Sequence, residues 1–135
     1  MVLDEYYINI AILTSNNSRA IRNKVGCIIV KNSNIISFSW NGTPSGFDNC
    51  CEDSNGNTKQ EVIHAEINAL SKLCKNGISS DGATMYITLS PCFDCAKAII
   101  MSGIKKVVYI EEYRIAGPLN FLREAGVEVQ KWSKQ

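Results

Sequence analysis

Apolar residues recur along this chain with a period that changes from segment to segment. Leu3, Tyr6, Tyr7, Ile10 and Leu13 fall three to four apart, which predicts an amphipathic helix over residues 4–16 with that stripe inward. Ser15-Asn16-Asn17-Ser18 closes it with residues that favour caps and turns. From Val25 to Val30 the chain is apolar and mostly β-branched, the pattern of a buried strand. After the polar turn Lys31-Asn32-Ser33-Asn34 a second strand runs from Ile35 to Trp40, so the pair predicts an antiparallel hairpin. Residues 41–60 carry neither period and hold Gly42, Pro44, Gly46 and Gly56. A loop of that length inside a domain points to a lid or binding loop rather than a connector.

The helical period returns near His64, with Ile63, Ile67, Leu70 and Leu73 as its stripe and Lys75-Asn76-Gly77 as its stop. A strand follows from Ala83 to Leu89. The next helix starts at Pro91 and runs through Ala96, Ile99 and Ile100 towards Gly103. Then come a strand (Lys106 to Ile110), a helix (Pro118 to Ala125) and a last strand (Val127 to Val129). Helices separate the last three strands, which requires parallel, right-handed crossovers. The expectation is an α/β fold in three layers, with helices on both faces of a mixed five-stranded sheet, forming one domain over residues 1–135.

Composition narrows the function classes. With 45% hydrophobic and 20% charged residues the chain has the make-up of a globular protein. A net charge of +1 gives no footprint for a nucleic-acid backbone. No apolar run approaches the ~18–20 residues that cross a bilayer, so no membrane role is expected. The first residues, Met1-Val2-Leu3-Asp4-Glu5, lack the basic and apolar regions of a signal peptide. The six cysteines therefore read as reduced cytoplasmic thiols and metal ligands rather than a disulfide framework.

His64 is the only histidine in the chain, and Glu66 follows two residues later. Downstream, Pro91 introduces Cys92 and Cys95. One imidazole and two thiolates suit zinc, and three protein ligands leave the open position of a catalytic site. Cys92 and Cys95 lie three apart at a helix start, so both can face one point where the helix dipole favours the thiolate. At the first turn of their own helix His64 and Glu66 can reach the same point. Such a Zn2+ lowers the pKa of bound water, and Glu66 is left free for proton transfer in hydrolytic deamination. H-x-E followed by P-C-x-x-C is an established signature of zinc nucleobase deaminases. Redox use of the cysteine pair, a structural zinc closed by Cys27, Cys50, Cys51 or Cys74, and a merely packed histidine remain as alternatives at this point. Arg19, Arg22 and Lys24 are three cations within six positions, either a solvated loop or an anion site for a nucleotide phosphate.

The chain resembles the deoxycytidylate (dCMP) deaminase family of the cytidine-deaminase superfamily. The likeness is carried by Lys24-Val25-Gly26-Cys27, Trp40 to Gly46, Asn49-Cys50-Cys51-Glu52, His64-Ala65-Glu66-Ile67-Asn68-Ala69, and Pro91-Cys92-Phe93-Asp94-Cys95-Ala96-Lys97 to Gly103-Ile104-Lys105. It covers about residues 19–130. The Asn41-Gly42-x-Pro-x-Gly46 segment narrows it to the dCMP branch. The resemblance implies a cytidine-deaminase-like fold, a homohexamer (dimers are also known in similar proteins), and conversion of dCMP to dUMP and ammonia. It implies zinc on His64, Cys92 and Cys95, and Glu66 as proton shuttle. Asn41 would meet the sugar 3′-hydroxyl, the Ala65 amide and Ser90 carbonyl the pyrimidine edge, Tyr113 the base and Arg114 the 5′-phosphate. It further implies activation by dCTP and inhibition by dTTP, with Mg2+ on the triphosphate. Gly42, Thr43 and Gly46 would carry that control, together with Arg19, Arg22 and Lys24. Trp40 and Ser39 stand where the family usually has tyrosine and glycine. The bland readings are a packed tyrosine at Tyr113, a surface charge at Arg114 and a turn residue at Asn41. Rival functions are another zinc deaminase, acting on a free nucleoside or a tRNA adenosine, and a non-catalytic structural-zinc module.

Overall fold

A computed structural model describes residues 2–113 and 115–134. The helices and strands expected from the hydrophobic periods form in the expected order. They are α1 (Val2–Ser15), β1 (Gly26–Lys31), β2 (Asn34–Trp40), α2 (Ala65–Lys75), β3 (Thr84–Leu89), α3 (Phe93–Met101), β4 (Lys106–Glu111), α4 (Gly117–Glu124) and β5 (Glu128–Lys131). The hairpin closes through Asn32 and Ser33 at φ 51° and 64°, the left-handed pair that a two-residue turn of matching twist requires.

The sheet order is β2-β1-β3-β4-β5. β1 runs antiparallel to both neighbours, and β3, β4 and β5 are parallel, as the intervening helices demand. This is the mixed five-stranded sheet with parallel last strands expected from the sequence. Side chains of successive strand residues alternate between two cores. Cys27, Ile29, Met85, Ile87, Val107 and Tyr109 pack against α2, α3 and α4. Ile28, Val30, Tyr86 and Val108 pack against Tyr7, Ile8 and Ala11 of α1. Where α1 crosses the start of β1, a Cβ on Gly26 would collide with the Ala11 carbonyl and come within 2.6 Å of Ser15 N. The glycine lets helix and strand touch.

Three local expectations are corrected. Leu3, Tyr6 and Leu13 of α1 are exposed, by 46%, 56% and 67%, and the buried side is Tyr7, Ile8 and Ala11. α1 is apolar on most of its circumference, so periodicity offered more than one inward stripe and packing on the sheet chose between them. Ile63 lies outside α2, bridged to Gly42, and Ile67 is only half buried; Ala65, Glu66, Ala69, Leu70 and Leu73 form the buried side. Pro91 is not in α3. Cys92 stays extended (φ −77°, ψ 175°) and serves as N-cap, so the first helical residue is Phe93.

Candidate active site

Two helix starts meet at one edge of the sheet. His64 is the N-cap of α2 and Cys92 that of α3, both extended, and neither side chain caps its own helix. An N-cap side chain normally accepts a hydrogen bond from the first turn. Here both are turned towards each other instead. Glu66 and Cys95 then sit in the first turns of their helices, on the side that faces this point. The same edge carries the ends of β2, β3 and β4 and the start of β1, as the antiparallel register Gly26↔Trp40 and Cys27↔Ile87 requires. Sites of open α/β sheets gather beyond the carboxyl ends of parallel strands.

His64 Nδ1 lies 3.3 Å from Cys95 Sγ and 3.5 Å from Cys92 Sγ. The three donor atoms are all within 4.8 Å of one another. A tetrahedral zinc with bonds of about 2.0–2.1 Å to nitrogen and about 2.3 Å to sulfur spans N···S edges of roughly 3.6 Å. The donor set and its spacing therefore fit Zn2+, with a fourth corner left for a non-protein ligand. Among the described residues no other group of three or more His, Cys, Asp or Glu side chains comes together this way.

Protonation is shared unevenly across this cluster. Hydrogen bonds from Cys95 and His64 pull the Cys92 thiol down to about 4. The bond to Cys92, with burial, pushes Cys95 far up. His64 is raised, chiefly by its hydrogen bond to Cys92. Glu66 is only 4% exposed, and burial pushes its carboxyl up to about 7. Cys27 is fully buried; burial first, then the Glu66 charge, raises its thiol well above the usual range. That makes it an inert packing group rather than a ligand.

His64, Glu66 and Cys92 open into a cavity of about 670 Å³. Asn41, Ala65, Ser90 and Tyr113, the expected substrate contacts, all line it. Asn41 is also a fastener: its Oδ1 accepts Val25 N–H at 2.9 Å and its Nδ2 donates to Asn23 O at 2.8 Å. Ser90 Oγ accepts the Tyr113 N–H at 2.6 Å, tying the end of β4 to the turn before Cys92. Arg114 lies outside the described residues. Of the residues expected for control, Arg22 lines this cavity. Lys24 borders a smaller neighbouring one of about 290 Å³. Arg19, Gly42, Thr43 and Gly46 line neither.

Sequence reasoning gave no role to several cavity residues. Glu52, Glu111 and Glu112 put three more carboxylates on the wall, and Thr58 lies beside them. Glu112 is held by the Tyr109 hydroxyl at 3.1 Å. Glu52 sits inside Asn49-Cys50-Cys51-Glu52, a segment that carried the family likeness. Nothing in the local pattern marked its side chain, because its partners are backbone amides thirty residues away.

Comparison with known proteins agrees with this geometry. The family model for the cytidine and deoxycytidylate deaminase zinc-binding region matches residues 1–111. The deoxycytidylate deaminase of Enterobacteria phage T4 is 40% identical, across 90% of this chain and 86% of that protein. That of Mycobacterium phage D29 is 34% identical, across 81% and 94%. The crystal structure of the dCMP deaminase from cyanophage S-TIM5, in complex with dCMP and dUMP, superposes with a TM-score of 0.94. It shares 49% identity and covers 96% of both chains.

Proposed function

The chain belongs to the cytidine and deoxycytidylate deaminase family, and on that premise we propose that it converts dCMP and water to dUMP and ammonia. The observation that carries the reading is the His64–Cys92–Cys95 donor triangle with the buried Glu66 beside it. Residues 1–135 act as one zinc-dependent deaminase domain. His64, Cys92 and Cys95 hold the zinc. When bound, the metal supplies a Lewis acid that brings the pKa of water to near neutrality. Glu66 takes a proton from the water and carries it to ring N3. As the water oxygen bonds to C4 the first proton is thus placed on N3; Glu66 then takes the remaining hydroxyl proton and delivers it to the exocyclic nitrogen, which leaves as ammonia as the C4–N bond breaks and the C4 carbonyl forms.

The cavity wall positions the nucleotide. The Ala65 amide, in the first turn of α2, and the Ser90 carbonyl hold the pyrimidine edge. Asn41 offers its remaining hydrogen-bond capacity to the sugar 3′-hydroxyl. Tyr113 stacks on the base and Arg114 meets the 5′-phosphate. By its family resemblance the enzyme is a cytoplasmic homohexamer, activated by dCTP with Mg2+ and inhibited by dTTP. Gly42, Thr43 and Gly46 form the effector segment with Arg19 and Lys24. Arg22 belongs to that group by the same resemblance and also lines the catalytic cavity. In the structure no described helix is long and apolar enough to cross a membrane.

The test is a substrate panel on the zinc-loaded protein: dCMP, CMP, deoxycytidine and dCTP, each alone and with low dCTP or dTTP. The expected result is loss of dCMP with matching release of dUMP and ammonia. No turnover of dCMP by a fully zinc-loaded sample rejects the proposal.

A further inference from the structure

The cavity poses an electrostatic problem that the catalytic residues do not solve. Glu52, Glu66, Glu111 and Glu112 all line it, whereas a nucleoside monophosphate brings a further negative group. Like charges held a few ångströms apart in a partly dry site repel strongly. Arg22 is the one lysine or arginine on this wall among the described residues. Its guanidinium makes no hydrogen bond or ion pair with them. It is exposed and lies in a stretch, residues 16–25, with no helix or strand. An arginine on such a stretch needs something to aim it.

Glu52 supplies the aim. Its Oε2 accepts the backbone N–H of Ile21 at 3.0 Å and that of Arg22 at 3.3 Å. Its own backbone is set by the bridge to Thr58. The residue is only 7% exposed, and its Oε1 is sealed from solvent with no hydrogen-bond partner among the described residues. An unpaired buried carboxylate oxygen destabilises a fold relative to an apolar side chain of similar size. A carboxylate kept in that state has a task beyond packing. On the opposite flank, Asn41 fastens Asn23 and Val25, and Ser18 Oγ donates to Asn41 O at 2.8 Å. The stretch is thus pinned before, at and after Arg22 by side chains of the segment that leads to His64.

We propose that Glu52 is a positioning residue for the nucleotide phosphate: it clamps the Ile21–Arg22 backbone and so presents the Arg22 guanidinium to the 5′-phosphate. The inference rests on the dCMP reading and adds a determinant for phosphate over free nucleoside. Glu52 itself touches no reacting atom.

The experiment compares dCMP with deoxycytidine as substrates, and dUMP with deoxyuridine by calorimetric binding, for the parent protein, R22A, E52A, E52Q and the double variant R22A/E52A. Zinc content is measured for each. One lost charge-assisted phosphate contact corresponds to about tenfold to a hundredfold. R22A therefore raises the KM ratio of dCMP to deoxycytidine by about that factor, with kcat for dCMP within about threefold of the parent. E52A gives the same signature, and the double variant is no worse in that ratio than R22A alone. E52Q keeps an oxygen for the two amides and retains most of the preference. dUMP binding weakens in parallel, and deoxyuridine binding changes little.

Equal losses for dCMP and deoxycytidine overturn the proposal, as does an R22A protein with an unchanged ratio. If E52A does not fold, R22A and E52Q still decide: an unchanged ratio in R22A, or a lost preference in E52Q, is fatal. A zinc-loaded parent that deaminates deoxycytidine but not dCMP overturns the dCMP reading instead, a result that none of the variant comparisons can mimic.

Discussion

The two faces of the sheet are built for different work. On one, α2, α3 and α4 pack over Cys27, Ile29, Met85, Ile87 and Val107, and two of those helices point their starts at the zinc-type donor cluster. On the other, α1 is the one helix over Ile28, Val30, Tyr86 and Val108, with Ile110 and Trp132 packed beside it, and it leaves Leu3, Tyr6 and Leu13 in solvent. Strand alternation produces both faces from the same residues in turn. The chemistry sits where helix N-termini converge, because only there do free N–H groups, thiolates and an imidazole fall within one coordination sphere. The α1 face contributes stability and the anchorage of residues 16–25. A change at the donor cluster should therefore alter catalysis with little effect on folding, and a change on the α1 face the reverse.

The sharpest separation is at Glu66. Glu66→Gln keeps the shape of the side chain and removes its ability to shuttle a proton. The expected loss in kcat is about 10²–10⁴-fold, with zinc stoichiometry and melting temperature close to the parent. Metal analysis, a thermal melt and steady-state rates on one preparation check all three. A variant that stays active refutes the assignment of the shuttle to Glu66.

Gly26 probes whether the faces can be separated at all, because it is where α1 rests on β1. Gly26→Ala drives a methyl group into the Ala11 carbonyl and the Ser15 backbone. Overpacking of that kind costs about 1–3 kcal/mol. Moving α1 also strains residues 16–25, so kcat/KM should fall with stability, by several-fold. Denaturant titration beside kinetics measures both; a stability loss with unaltered kcat/KM means the α1 face does not reach the site.

Asn41 stands at the seam. Asn41→Ala breaks the bonds to Val25 N–H and Asn23 O. About 1–2 kcal/mol of stability should go with them. If Asn41 also meets the sugar, KM rises for deoxycytidine as well as for dCMP while kcat is nearly kept; a role confined to pinning residues 23–25 leaves KM for deoxycytidine alone.

How much of this was readable in the sequence follows the same division. His64, Glu66, Cys92 and Cys95 were legible because a metal site demands particular residue types at particular spacings, and the strand-helix alternation around them dictated a parallel half-sheet. The inward side of α1 was not, because Leu3, Tyr6, Tyr7, Ile8 and Ile12 surround the helix with apolar groups and only the sheet decides among them. The ends of α2 and α3 came out a residue or two late at His64 and Cys92, since both side chains were claimed by the site instead of by a cap. Glu52 was invisible as a clamp: its partners are the amides of Ile21 and Arg22, and backbone amides leave no mark in a sequence.

The smallest expected effect is the cleanest test of the α1 face. The Tyr86 hydroxyl donates to Asp4 Oδ1 at 2.6 Å, and its ring packs on Tyr7 with centroids 5.2 Å apart. Tyr86→Phe keeps the ring and loses only the hydrogen bond, so stability should drop by about 1 kcal/mol and the melting temperature by a few degrees. Activity should not move, because Tyr86 points away from the donor cluster. The variant also carries a pH signature. Burial, the Asp4 hydrogen bond and the Asp4 charge raise the Tyr86 phenol above its ordinary value of 10.0. Above that value the folded chain keeps a proton that the unfolded chain releases, so this stabilisation is whole below pH 10 and drains away as pH rises further. Phenylalanine has no proton to lose. The stability gap between parent and variant should therefore be constant through neutral pH and narrow above pH 10, and a gap that stays constant there means the hydroxyl is not held by Asp4.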